Sequence, residues 1–236
     1  MAFTIERMAV DDITSYYEVR NAAFDRASRI FKDPYPLSEE SKAIDFERFV
    51  GAFRKRDALN NVSVFKAVDQ PSGKMIATSE WSVYEEDQLV ENTLEEEVVK
   101  ALQDILPETR VDVFLGFMEM KAKARREILA TGGADALDPV KLGRRIDLDT
   151  IFTHPDYQGR GIASGLLQWG FREAERLGLG IYLGATAEGR PLYEKNGFEM
   201  VKEIDFDASA LGSYGVHSYT ASSPLNIYLR KKKAKL

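Results

Sequence analysis

Apolar and polar residues alternate early in the chain and predict two neighbouring strands. Residues 61–68 and 74–84 are rich in β-branched and aromatic side chains, and a run of turn-forming residues separates them. This pattern predicts an antiparallel hairpin. Apolar residues at helical spacing predict a helix that begins at Ser38 and ends near Arg56. They predict another over 111–130, which ends in a basic run suited to the helix dipole.

Later in the chain the pattern changes from strand to turn to helix within a few residues. Alternation over 146–151 predicts a strand, and it places Asp147, Asp149 and Ile151 on one face of that strand. From Ser164 onwards, the pattern of apolar residues predicts a helix. The pattern therefore predicts a central strand that leads directly into a helix.

The turn between this strand and this helix has the features of an anion-binding site. Gly159 and Gly161 allow positive φ values and a close approach of a ligand to the backbone. The first N–H groups of the helix have no partner within it, and the helix dipole favours an anion beside them. The turn therefore suits a pyrophosphate. It lacks the lysine of a P-loop, and its glycine spacing differs from that of a dinucleotide-binding fold.

Composition narrows the classes of protein that fit. The chain has 236 residues, 44% of them hydrophobic, and we predict one domain over 1–236 with a helical insertion at about 85–145. A formal net charge of −6 argues against nucleic acid as a partner. The absence of cysteine excludes a thiol nucleophile, and two histidines alone do not make a metal site. Without a membrane-spanning run or a signal-peptide pattern, a soluble cytoplasmic protein is expected, with no membrane partner.

Two short motifs resemble those of the GNAT superfamily of acyl-CoA-dependent N-acyltransferases. Gln158-x-x-Gly161-x-Ala163 is similar to the family's Gln/Arg-x-x-Gly-x-Gly/Ala signature, and Leu192-Tyr-Glu-Lys-Asn-Gly-Phe198 is similar to its second signature. The resemblance implies an α/β (α+β) fold with a mixed, mostly antiparallel sheet of about six to seven strands. The sheet would be splayed beside the central strand, with acyl-CoA in the split and helices on its flanks. The insertion and several short runs look most like poorly characterised fungal members.

The resemblance also implies roles for individual residues. Tyr193 matches the general acid, and a carboxylate on the central strand is a recurrent base, which points to Asp149 and Asp147; their alternative role is in salt bridges. Glu80 is a third candidate base, although beside Trp81 in a strand it is expected to be solvated. The residues that match acyl-CoA contacts are Ile151, Phe152, Thr153, Gln158, Gly159, Arg160, Gly161, Ile162, Ala163, Ser164 and Thr186. Many family members carry Asn where Thr186 stands.

These residues together predict an acyl-CoA-dependent N-acetyltransferase. It would move an acetyl group from acetyl-CoA, its co-substrate, to a primary amine of a small molecule or peptide by direct transfer. The alternative is a catalytically idle module with a GNAT fold that binds or senses acyl-CoA, and a third hypothesis is an ATP- or GTP-binding protein. The sequence does not indicate the acceptor amine, the acyl-chain length or the oligomeric state. The insertion is expected either over the acceptor side or as a peripheral covering.

Overall fold

The structure is a computed structural model, and it describes residues 2–131, 139–204, 206 and the backbone of 225–230. The strands are β1 (Phe3–Arg7), β2 (Val62–Asp69), β3 (Met75–Tyr84), β4 (Gln88–Val90), β5 (Val140–Leu142), β6 (Arg145–Thr153), β7 (Ile181–Ala185), β8 (Glu199–Ile204) and β9 (Leu225–Arg230). The helices are α1 (Ile13–Phe31), α2 (Glu39–Asp57), α3 (Leu94–Lys100), α4 (Val111–Leu129), α5 (Ile162–Leu177) and α6 (Arg190–Lys195). The predicted hairpin and the predicted helix over 111–130 are thus confirmed as β2–β3 and α4.

Seven strands form one sheet in the order β1-β2-β3-β6-β7-β9-β8. Neighbouring strands are antiparallel, except that β6 and β7 run parallel. The parallel pairing joins only Ile146 to Ile181 and Asp147 to Tyr182, whereas β7 stays paired with β9 as far as Ala185. Beyond these two pairs β6 and β7 part, and we call the resulting gap the split. The predicted mixed, mostly antiparallel sheet that is splayed beside its central strand is therefore confirmed.

A β-bulge in the central strand changes which way its side chains point. The register between β3 and β6 shifts by one residue at Glu80 and Trp81, which leaves Asp149 as the extra residue. The carboxylates of Asp147 and Asp149 face α4 and α2. Ile151 instead packs with the apolar clusters beneath α5. The prediction that these three residues share one face is wrong, because a bulge breaks the period of two.

The same bulge reverses the hydrogen-bonding direction of the strand backbone. Before it, the Ile146 N–H donates to the Gly180 carbonyl on the β7 side, at 2.9 Å; after it, the His154 N–H donates to the Ile76 carbonyl on the β3 side, at 2.8 Å. Two even-numbered residues of a regular strand would point the same way. After the bulge, therefore, the odd-numbered residues direct their backbone groups into the split, and Ile151 is the first of them.

Helices cover both faces of the sheet. Helix α5 packs against the buried Trp81, and Gly170 permits this because a Cβ there would lie 2.3 Å from the indole ring. On the other face, α1 and α2 enclose a cluster that includes Tyr16, Phe53 and Phe152. The apolar side of α1 is therefore part of the core. Within the described residues, no helix is long and apolar enough to cross a membrane.

Between β3 and β6 the chain forms the β4–β5 pair and helices α3 and α4. Helix α4 packs against α1, where the rings of Phe117 and Phe31 lie 5.1 Å apart. It therefore lies on the α1 face of the sheet. Residues 132–138 of the predicted insertion lie outside the described residues.

Candidate active site

A cleft of about 1500 Å³ passes through the split from one face of the sheet to the other. Its walls come from α1, α3, α4, α6, the end of α2, both sides of the split and the turn before α5. The sequence-predicted site residues that line it are Asp147, Asp149, Ile151, Phe152, Thr153, Gln158, Gly159, Arg160, Gly161, Ile162, Ala163, Ser164, Thr186 and Tyr193. The fold thus brings all of them to one cleft, although they span almost fifty positions of the chain.

The turn before α5, residues 158–161, forms one end of the cleft, and we call it the glycine turn. Gly159 and Gly161 have φ values of +73° and +78°, which strongly favour glycine. A Cβ at either position would meet nothing within 4 Å, so the space beside the backbone is open. Gly161 is the N-cap of α5, and Gly165 is the first residue whose N–H bonds back to it, at 3.0 Å. The preceding N–H groups are therefore free of helical partners.

Side chains brace the glycine turn and leave its backbone to face the cleft. The Gln158 side-chain amide donates to the Thr153 carbonyl at 3.2 Å. The Arg160 guanidinium donates to the Asp156 carbonyl at 2.5 Å and lies 5.0 Å from the centre of the Tyr157 ring. An anion at this turn would meet backbone N–H groups more than side-chain charge.

The end of β6 offers backbone groups as well. The Ile151 side chain packs beneath α5, and the Phe152 ring packs 5.3 Å from Tyr16 and 5.5 Å from Phe24. These side chains are occupied in the core. What the strand presents to the split is its unpaired edge, which an extended ligand could join by main-chain hydrogen bonds.

Tyr193 lines the cleft from the opposite wall, on α6. Its ring is 6% exposed and packs edge-on against Phe198, with the centroids 5.6 Å apart. Gly189 leaves room for this ring, because a Cβ there would lie 3.0 Å from it. Thr186, at the end of β7, also lines this wall, and its carbonyl accepts the Gly189 N–H at 3.0 Å. The phenol ring is thus held in a fixed place by the core.

The two carboxylates of the central strand have different surroundings. Asp149 pairs with Arg56 of α2 at 2.9 Å and accepts a hydrogen bond from Ser82 at 2.5 Å, and its side chain is 27% exposed. Asp147 is 8% exposed and accepts two hydrogen bonds from Arg145, at 2.8 and 3.1 Å. Burial raises the pKa of the Asp147 carboxyl, and the Arg145 guanidinium opposes that rise. Asp149 is therefore the more accessible of the two.

The prediction that Glu80 is solvated is wrong. Its side chain is buried, the Tyr16 hydroxyl donates to it at 3.3 Å, and Arg56 Nε lies 2.6 Å from its other oxygen. That second contact is close but poorly aligned for a hydrogen bond. Burial raises the pKa of Glu80, and Arg56 acts in the opposite direction. Strand pattern could not reveal this, because the partner comes from a helix.

Sequence reasoning missed the basic side chains of the cleft. The helix dipole accounts for the basic run of α4 at the level of sequence, but in the structure Lys121 and Arg125 line the cleft. A signal was available, since their helical spacing puts them on the same face as Phe117 and Met118. Helix α4, within the predicted insertion, is therefore a wall of the cleft.

The comparisons with known proteins agree with this geometry. Residues 120–200 match the family model of the acetyltransferase (GNAT) domain. The chain contains a GNAT acetyltransferase domain. The matched segment includes the central strand, the glycine turn, α5, β7 and α6, and thus both sides of the split. No curated protein matches the chain.

Solved structures of GNAT proteins share the fold. A Drosophila melanogaster polyamine N-acetyltransferase that catalyses the formation of N-acetylagmatine has a TM-score of 0.63 at 12% identity, with 98% of this chain and 100% of that chain covered. The mosquito arylalkylamine N-acetyltransferase like 5b has a TM-score of 0.61 at 12% identity, with 97% and 99% covered. A Corynebacterium glutamicum protein described as histone acetyltransferase HPA2 and related acetyltransferase has a TM-score of 0.57 at 16% identity, with 100% and 99% covered. At these identities the likeness shows the fold alone, and the likeness to fungal members stays a prediction.

Proposed function

We propose that the protein is an N-acetyltransferase that moves an acetyl group from acetyl-CoA to a primary amine of a small molecule or peptide. The observation that carries this proposal is the cleft through the split, which joins the glycine turn on one side to carboxylates on the other. GNAT acetyltransferases use acetyl-CoA or another acyl-CoA as co-substrate. The cleft volume exceeds the roughly 300–1000 Å³ of a usual ligand pocket, which supports two substrates bound together.

The residues of the glycine turn fit the pyrophosphate of such a co-substrate. The open space beside Gly159 and Gly161 lets phosphate oxygens reach the N–H groups at the start of α5. Ile162 is 1% exposed, so it would contribute its backbone rather than its side chain. The free edge of β6 at Ile151 would hold the amide-bearing arm of the co-substrate in the manner of an added strand.

Three groups of this chain would act on the reaction itself. Asp149, directly or through a water molecule, accepts the proton of the amine, because it is the more accessible carboxylate of the central strand. The Ile151 N–H stabilises the charge that develops on the thioester oxygen. Tyr193 donates a proton to the leaving thiolate. Asp147 would act as a positioning residue, since its ion pair with Arg125, at 3.7 Å, links the strand to α4.

One observation favours the alternative of a catalytically idle acyl-CoA-binding or sensing module. Both Asp147 and Asp149 are held in ion pairs with arginines, so a carboxylate of the central strand has to exchange a partner before it can approach an amine. The two hypotheses predict the same binding of acetyl-CoA and differ in turnover. Release of the CoA thiol in the presence of an amine distinguishes them.

The first experiment is a calorimetric titration of acetyl-CoA and desacetyl-CoA into the purified protein, with ATP and NADH as negative controls. We expect micromolar binding of acetyl-CoA, weakened about 10-fold or more by Gly161→Val, because valine at positive φ is strained by about 1–2 kcal/mol and adds bulk beside the N–H groups.

Gly73→Val is the matched control for this titration. Gly73 has a φ of +67° and open space around it, but it lies in the turn between β2 and β3, outside the cleft. Equal loss of affinity in both variants would mean that backbone strain alone, and not damage to the glycine turn, causes the effect. Absence of acetyl-CoA binding to the wild-type protein would contradict the proposed function and its alternative together.

A further inference from the structure

The wall of the cleft opposite the glycine turn, formed by α1, α3, α4, the end of α2 and the start of β6, is here called the acceptor wall. Every carboxylate that lines it has an arginine partner. The pairs are Asp147 with Arg145, Asp149 with Arg56 and Glu97 with Arg126. Among the described residues each carboxylate of this wall therefore has a cationic partner, although the contacts of Asp149 with Arg56 and Ser82 use only one of its two oxygens.

Lys121 is a cation without such a partner. It lies on α4 and lines the cleft, and among the described residues the ion pairs of the acceptor wall do not include it. The ring of Phe117 lies beside it, with its centre 5.6 Å from the ammonium nitrogen. Solvent in the cleft reaches the side chain, yet enclosure by the walls lowers the pKa of Lys121. The Asp149 carboxylate opposes this change in pKa and the Arg125 guanidinium adds to it.

An ammonium group that faces the cleft without an ionic partner can form a charge-assisted hydrogen bond with a bound anion. The place of Lys121 indicates which part of a ligand supplies the anion. Lys121 and Asp149 line the same wall and interact electrostatically, so the site presents one cation and one carboxylate side by side. A zwitterion with its ammonium towards Asp149 and its carboxylate towards Lys121 matches this order of charge. A polycationic amine does not, because Arg125 and Arg26 add further positive charge to the same wall.

Building on the proposed function, we propose that the acceptor is an amino acid, and that Lys121 binds its carboxylate while its amine faces Asp149. In the transfer, the C–N bond forms as the C–S bond of the thioester breaks. The ammonium gives one proton to Asp149 before it attacks, and the second proton that the nitrogen loses on becoming an amide replaces the one that Tyr193 gives to the thiolate. The carboxylate of the acceptor is unchanged and serves only to orient the amine. The descriptions of two structural neighbours mention arylalkylamine and N-acetylagmatine. Neither agmatine nor an arylalkylamine has a carboxylate.

Matched pairs of acceptors test this proposal. Each pair is an amino acid and the amine that lacks its carboxylate: phenylalanine and phenethylamine, leucine and isoamylamine, arginine and agmatine. With acetyl-CoA saturating, we expect the amino acid to have the higher kcat/KM in each pair that is turned over, by about 10- to 100-fold. This is the range for a hydrogen-bonded charge pair in a binding site. A higher kcat/KM for the decarboxylated amines would overturn the proposal.

Variants of α4 assign the preference to Lys121. Lys121→Met should reduce the amino acid preference by about 10- to 100-fold, mainly through KM, and Lys121→Arg should restore part of it. Lys123→Met is the matched control, because Lys123 is exposed on the same helix and does not line the cleft. An unchanged preference in Lys121→Met would overturn the assignment. So would weaker acetyl-CoA binding in that variant, since Lys121 would then hold the co-substrate.

The titration of acetyl-CoA distinguishes a failure of the acceptor proposal from a failure of the proposed function. A protein that binds acetyl-CoA but acetylates none of the amino acids overturns the acceptor proposal and leaves the co-substrate assignment standing. A protein that does not bind acetyl-CoA overturns the proposed function itself.

Discussion

The two sides of the cleft are built in different ways. The glycine turn is a local structure, in which two glycines at positive φ and one helix N-terminus present backbone groups within a few consecutive residues. The acceptor wall is assembled from α1, α3, α4, the end of α2 and the start of β6, and its charge comes from side chains such as Arg56, Asp149 and Lys121. The first kind of site depends on local conformation and the second on packing between distant elements. Substitutions should therefore affect the two sides through different measurements.

The largest effect is expected for the group proposed to act on the leaving thiolate. Tyr193→Phe should lower kcat by about 1000-fold, within the range for loss of a general acid, and leave acetyl-CoA affinity unchanged. The ring still packs against Phe198, so the fold should persist. Steady-state kinetics and calorimetry measure the two quantities separately.

Tyr17→Phe is the control for this change. Tyr17 also donates a hydrogen bond, to Asp45 at 2.8 Å, but lies outside the cleft, so kcat should not change. If Tyr193→Phe retained wild-type kcat, the thiolate would leave without this acid. Tyr193 would then have only a structural role in the wall of the cleft.

A smaller effect separates the two carboxylates of the central strand. Asp147→Asn should lower the free energy of unfolding by about 3 kcal/mol, because it leaves the Arg145 guanidinium, 3% exposed, without a charged partner. Asp149→Asn should change stability little, because its pair with Arg56 is partly exposed, and should mainly lower kcat. Urea unfolding and kinetics on both variants measure this contrast. The reverse pattern would make Asp147 the base.

The same contrast explains what could be predicted from the sequence. The glycine turn and the β2–β3 hairpin depend on residues close together in the chain, so spacing and turn chemistry were sufficient to predict them. The bulge at Asp149 arises from the pairing of β6 with β3, and no period along β6 alone contains it. The burial of Glu80 likewise depends on Arg56, which reaches it from a helix. The sequence pattern of one strand does not indicate which charged residue of a distant element will pair with it.

The smallest expected effect tests whether the glycine turn depends on the packing of its helix. Gly170→Ala would place a Cβ 2.3 Å from the Trp81 ring, and the buried ring cannot move aside without disturbing the core. Overpacking of this kind should cost about 2 kcal/mol and lower Tm by roughly 4–8 °C. Because α5 must shift outward, acetyl-CoA affinity should also fall.

Gly51→Ala is the matched control for that shift. Gly51 lies within α2, where an added Cβ meets nothing within 4 Å, so alanine should stabilise the helix by about 0.5–1 kcal/mol. Opposite signs for the two glycine-to-alanine changes would show that close approach, not helix propensity, explains Gly170. If Gly170→Ala lost stability but kept wild-type acetyl-CoA affinity, the glycine turn would hold its geometry independently of where α5 packs. The geometry of the glycine turn would then depend less on the packing of the core than the geometry of the acceptor wall does.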